Sequence, residues 1–432
     1  MQLITDKRSL YFPLRISLLF VIFTEVFLFV GPVVYQIENP ILLVLFFIIV
    51  NVALLLGYKH EIRRYRPVYT QSSNDLFANK LIKRLIIIAL LVKPITMYVG
   101  WQLDSFSAGA FVQKFITGLV SPKDVYEDFN NLTGGTFLSL CLVLISPITY
   151  MAMPLGIYNF RKLNGIYKAL TVTLIILDIV YCLGLGIRKK LLDVIVIVFL
   201  ATLAAKGDQE LRLFKNKKTV LLAICGVFGL LYYFTYSSVS RNGVSDITDM
   251  FTKTNIKLWY IEHTSQEFYT ILTNIHMYLC HGYQNFSVVL NHFFSSEHEL
   301  IYTFGLGNNS FTLQMLDKYF NIDLNPYTYQ YLLQTKYNIP IGLQWMSIYP
   351  WIANDVTILG VPFVFALFGK LFARFWLDSL YRTNIYAIPL LMAVAITIFY
   401  SFANNQALSY SFIPMVVIGF LYCQSKKHVV NE

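Results

Sequence analysis

Charge is what this sequence has least of. Only 13% of its 432 residues are charged, and 56% are hydrophobic. Soluble globular chains lie nearer a quarter charged and half apolar, so ordinary core burial does not account for the skew. Cysteine is scarce too. Cys141, Cys182, Cys225, Cys280 and Cys423 include no CxxC pair, and four fall in or beside apolar runs. That pattern excludes a disulfide framework and a structural zinc site. HxH, HExxH and DxD motifs are absent, which argues against metal-held nucleotide-sugar chemistry. The Gly305/Gly307 pair opens no βαβ unit and so marks no nucleotide loop. The sequence shows no internal repeat, no low-complexity tract and no second soluble domain.

Long apolar runs are what the chain has in abundance. They lie at about 16–35, 41–57, 85–101, 135–158, 169–187, 191–205, 219–237, 356–375, 385–402 and 407–423. Runs of this length read as membrane spans. The first is too long for a signal-peptide core and no small-residue cleavage site follows it, so it is expected to remain as a span. The expected fold is therefore all-α and polytopic, with about ten spans. It divides into 1–237 with seven spans, an external segment 238–353, and 354–432 with three spans and a tail. A short amphipathic helix is expected over 110–119.

The net charge of +10 follows the membrane rather than a nucleic acid. Twenty-three of the 34 Lys and Arg fall in the loops and tails on the side of the N terminus. Positive charge in short loops marks the cytoplasmic face, so both termini are expected there.

Arg188-Lys189-Lys190 breaks that rule, placing three cations in a very short external turn. An ion pair with Asp193 one helical turn on, or lipid headgroups, would account for it. So would an anion site at the outer membrane surface, since guanidinium groups fork onto phosphate. Arg241, in Ser240-Arg241-Asn242-Gly243 directly after the seventh run, poses the same choice between interfacial snorkelling and anion binding. Glu25, Lys93 and Asp178 lie inside spans, where a lone charge is costly. Lys93 is expected to pair with Glu25 or Asp178.

The external segment holds five of the seven histidines. Phe268, Ile271, Leu272, Ile275 and Leu279 recur at helical spacing, with an end expected near Gly282. Phe286, Val289, Leu290 and Phe293 predict a second short helix; Phe311, Met315, Leu316 and Tyr319 predict a third, capped near Asn308 or Asn309. Such stripes form a folded cap over the membrane. Aromatic and amide side chains crowd its connecting stretches. They suit either sugar stacking or a membrane-interface belt, and Tyr283, Asn285 and Trp345 are the candidate sugar contacts.

The layout and several short motifs resemble the Wzy-type repeat-unit polymerases of bacterial O-antigen and capsular polysaccharide. The motifs are Gly184-Leu185-Gly186-Ile187-Arg188, Ser240-Arg241-Asn242-Gly243, Gly282-Tyr283, and Asn354-Asp355 with Gly360. Where that family often reads Asp-Phe-Gly, this chain has Asp355-Val356-Thr357. The resemblance implies a GT-C-like, metal-independent glycosyltransferase without cofactor in the bacterial inner membrane. Its substrates would be undecaprenyl-pyrophosphate-linked glycans, its surroundings membrane lipids, and its partners a chain-length regulator and a flippase. Arg188, Lys189, Lys190 and Arg241 would then hold the pyrophosphate. The base would be His281, Glu262 or Asp355, with His263, Glu267 and Glu38 also open. A ligase would use nearly the same parts. A flippase of lipid-linked sugar is the rival from another class; it predicts internal repeats and helices broken at the midplane.

Overall fold

Asn39 and Pro40 show how local chemistry starts these helices. The Asn39 side chain accepts from the Leu42 N–H, and Pro40 takes the first helical position, where its missing N–H costs nothing. The computed structural model describes residues 7–66, 73–121, 137–185, 188–206, 257–295, 305–308, 310–340, 346–403 and 406–430. Among them the helices are α1 (Lys7–Val30), α2 (Pro40–Arg64), α3 (Ser73–Trp101), α4 (Ala108–Val120), α5 (Phe137–Tyr158), α6 (Gly165–Gly184) and α7 (Arg188–Lys206). Then come α8 (Leu258–His263), α9 (Gln266–Ser295), α10 (Ser310–Phe320), α11 (Tyr329–Lys336), α12 (Ile348–Leu380), α13 (Ala387–Phe399) and α14 (Gln406–Val430). The described chain is helical, without sheet.

Among the described residues, five helices are long and apolar enough to cross a membrane: α1, α2, α5, α6 and α12. Of the other expected spans, 85–101 lies within α3, which carries Lys93 and Pro94 inside the run. Four charged residues stand in the first six of α7. Helix α13 and the apolar part of α14, Phe412–Ser425, are shorter. The seventh run, 219–237, lies outside the described residues. Leu19 and Phe23 of α1, Leu45 and Ile49 of α2, and Leu359 and Phe363 of α12 are exposed, as lipid-facing side chains would be.

Helices α2 and α12 approach at glycine. A Cβ on Gly57 would stand 1.9 Å from the Ala366 carbonyl oxygen, and one on Gly369 would stand 2.1 Å from that of Leu54. Small residues let membrane helices pack backbone to backbone, which is where their association energy comes from.

One end of the bundle is tied by charge. Arg374 of α12 bonds Glu61 of α2 at 3.1 Å; Asp378 accepts from Tyr65 at 2.8 Å, from Thr383 at 2.9 Å and from Tyr422 of α14. The Trp376 indole N–H donates to the Ser9 carbonyl. These contacts bring the start of α1, the ends of α2 and α12, and the last third of α14 together.

At the other end, Lys257 and Tyr260 finish α1. The Lys257 ammonium donates to the Phe29 carbonyl at 2.6 Å, its N–H to Pro32, and the Tyr260 hydroxyl to Val30 at 2.8 Å. The Phe29 and Val30 carbonyls are ones that a helix end leaves without partners, and a cation suits the negative end of the dipole.

The segment expected to be external differs in its helices from expectation. Helix α9 runs unbroken through Gly282 rather than forming two short helices. Gly282 is an approach point instead of a stop: a Cβ there would lie 2.2 Å from the Phe402 carbonyl oxygen and 2.8 Å from the Ser347 N–H nitrogen. Helix α9 crosses both α1 and α2, with His276 against Phe27, Tyr283 against Phe47, and Asn291 donating to Glu38 at 2.6 Å. Helix α12 passes through the expected boundary at 353/354. The expected helices over 110–119 and around Phe311 are present as α4 and α10.

Candidate functional site

Charged side chains gather around the end of α6 and the start of α7. Lys93 of α3 forms its ion pair with Asp178 of α6, one of the two partners expected for it. Three residues on, Tyr181 lies on the same helix face, and the Lys93 ammonium sits 4.5 Å from its ring centroid. The Lys190 ammonium of α7 sits 5.0 Å from the same ring. One aromatic ring thus receives cations from two helices, an attraction worth roughly 0.5–2 kcal/mol per contact. Lys189 bonds Asp193 at 2.8 Å, as the ion-pair reading required, and lies 5.4 Å from the Tyr400 ring centroid.

Small and aromatic residues hold this arrangement in place. The Trp101 indole donates to the Tyr181 carbonyl at 3.2 Å. A Cβ on Gly184 would stand 2.4 Å from the Trp101 ring, and one on Gly118 of α4 would stand 2.6 Å from the Gly184 carbonyl. The Tyr400 hydroxyl donates to the Lys189 carbonyl at 3.2 Å. Two residues on, the Phe402 carbonyl meets Gly282 of α9. The cationic turn and α9 therefore share one end of the bundle. Lys93 and Lys189 pair with Asp178 and Asp193, and the Lys190 ammonium stands beside them at the Tyr181 ring. Arg188 opens α7, where the helix dipole is positive.

The base candidates differ in exposure. His281 is 5% exposed, with Asn285 Nδ2 3.4 Å from its Nε2. Asp355 is 8% exposed, two residues before Thr357, whose φ of +60° and ψ of 169° break α12. That is a conformation few residues other than glycine adopt, and such strain gathers at functional turns. Glu262 is exposed on α8, as is His263, whose ring stacks on Trp259.

The sugar candidates divide. Tyr283 is wholly buried and shares a 3.0 Å hydrogen bond with Thr24 of α1; Asn285 is buried beside His281. Both lie on the buried face of α9. Arg241 and Trp345 lie outside the described residues, as do the side chains of Arg188 and Glu267. Asn354 proves to be a clamp. Its amide accepts from the Tyr329 N–H at 3.0 Å and donates to Gln330 at 2.8 Å and to the Gly307 carbonyl at 3.3 Å. It thereby ties Gly307, Tyr329 and Gln330 to the first turns of α12. Sequence reading passed over Tyr181 and Tyr400; the Asp178-x-x-Tyr181 spacing was the available signal for the first.

No metal-holding group of three or more His, Cys, Asp or Glu occurs among the described residues. No known protein family, curated protein or solved structure matches this chain.

Proposed function

We propose that this chain is a membrane glycosyltransferase that polymerises lipid-linked oligosaccharide repeat units. In this reading it crosses the bacterial inner membrane about ten times in a GT-C-like fold, with both termini cytoplasmic. The donor is a glycan on undecaprenyl pyrophosphate. The acceptor hydroxyl oxygen bonds to the anomeric carbon, the bond from that carbon to the pyrophosphate oxygen breaks, and the acceptor proton passes to a base. Undecaprenyl pyrophosphate leaves.

One observation carries the reading: a cationic cluster built from α3, α6 and α7 at the end of the bundle that α9 covers. Negative charge develops on the departing pyrophosphate, and fixed donors there are worth roughly 10²–10³ in rate each. Lys190 and Arg188 take that role with Arg241. Lys189, committed to Asp193, acts as the positioning residue that fixes the start of α7. Glu262 is the base candidate open to an incoming acceptor.

A flippase reading calls for a helix broken at mid-membrane. The break in α12 lies 23 residues before Leu380. At 1.5 Å per residue that is roughly 35 Å, a full hydrocarbon thickness from the far end. In this reading the break is interfacial, which favours a transferase.

The deciding experiment reconstitutes the purified protein with lipid-linked repeat units in liposomes. A ladder of glycan lengths supports polymerisation. Transbilayer movement of the lipid without any ladder contradicts it.

A further inference from the structure

Beneath α9, four buried oxygens have no hydrogen-bond partner: Glu25 Oε1, Tyr349 Oη, Ser401 Oγ and Ser347 Oγ. They belong to one neighbourhood. The Tyr283 and Tyr349 rings stack with centroids 6.3 Å apart. Glu25 lies within electrostatic reach of both phenols, and the Ser401 hydroxyl lies beside both, outside hydrogen-bonding geometry. Ser347 and Ser401 are drawn together because the Ile348 N–H donates to the Ser401 carbonyl at 3.0 Å, while the Ser347 N–H donates to Gly282 at 3.1 Å. An unpaired buried polar group costs on the order of 1–3 kcal/mol, so four in one place call for an occupant.

Glu25 decides which occupant fits. Its residue exposure is 7%. Its one hydrogen bond is from the Asn51 amide of α2 to Oε2, at 2.7 Å. The other titratable groups that interact with it are Tyr283 of α9 and Tyr349 of α12. Neither is a cation, and among the described residues no Lys, Arg or His pairs with it. A carboxylate offers about four acceptor positions, of which Asn51 fills one. A carboxylic acid instead donates one O–H and asks for less. Hydroxyls can accept that proton directly or through water, and a polar pocket with two to four partners is where buried water resides.

We propose that Glu25 is a buried proton-binding site, its acid form held with water by the hydroxyls of Tyr349, Ser401 and Ser347. Helix α9 is its cover. Tyr283 and Cys280 close over Thr24, the neighbour of Glu25. The inference stands independently of the glycosyltransferase reading.

Infrared spectroscopy of the full-length protein in lipid nanodiscs tests it. At neutral pH the wild type should show a protonated-carboxyl C=O band. That band should move with ¹³C-glutamate labelling and with D₂O, and disappear in Glu25→Gln. Identical carboxylic-acid regions in wild type and Glu25→Gln would overturn the proposal, as would loss of the band on replacing choline by sodium at constant ionic strength. Should Glu25→Gln fail to fold, Tyr349→Phe serves: a shifted band supports the site, and an unmoved one overturns it.

Discussion

Lys93 of α3 pairs with Asp178 of α6, not with Glu25 of α1. The pair ties two helices inside the apolar part of the bundle, where either charge alone is expensive. Lys93→Met or Asp178→Leu should each destabilise the protein by roughly 3 kcal/mol, because the remaining charge loses its partner. The double substitution should recover most of that. Thermal unfolding in detergent reads the outcome, and a double variant as unstable as the sum of the singles would contradict the pairing.

Helices α2 and α12 should fail first at their glycines. Gly57→Ala and Gly369→Ala push a methyl into the Ala366 and Leu54 carbonyls, and backbone cannot yield as a side chain can. Overpacking of this kind costs about 1–3 kcal/mol. Gly109→Ala on α4 meets nothing within 4 Å. Gain or neutrality there, beside loss at both interface positions, is the expected pattern in the same melting assay.

His276 should make the protein acid-sensitive. Its Nδ1 accepts from the Val33 N–H at 3.0 Å, so the neutral ring carries its proton on Nε2, against Phe27 and Gly31. Burial pushes its pKa down to about 4. The unfolded chain takes the proton near 6.5 and the folded chain resists it. Stability is therefore full above about 6.5 and falls as the pH drops towards 4, by on the order of 3 kcal/mol. His276→Asn keeps an acceptor for Val33 and should flatten that slope. An unchanged slope in the variant would remove His276 from the account.

Much of this arrangement is legible in sequence. Run lengths locate α1, α2, α5, α6 and α12 because a span must be continuous and apolar. Lys93 could be expected to pair, since burial demands a partner; which carboxylate serves depends on the packing of α3 on α6. Gly282 was misread because glycine ends helices and also lets backbones touch, and only the position of Phe402 distinguishes the two. Tyr283 and Asn285 look like surface recognition groups inside a polar loop. They are buried because α9 lies across α1 and α2, a tertiary fact that periodicity does not carry. Thr357 gave no signal, since a threonine at positive φ is held by its surroundings rather than by its own preference.

The cationic turn carries the functional reading, and its charges are separable. Lys190→Ala, Arg188→Ala and Arg241→Ala should each lower the polymerisation rate by roughly 10²–10³ while leaving melting temperature near wild type. Lys189→Ala should lower both, because it also releases Asp193 inside the bundle.

The most direct measurement is the rate of glycan-ladder formation by purified Arg188→Ala and Lys190→Ala in liposomes, beside Lys318→Ala on α10 as a remote control. The account predicts that the first two lose ladder growth and the control keeps it. Wild-type ladders from both turn variants would contradict it.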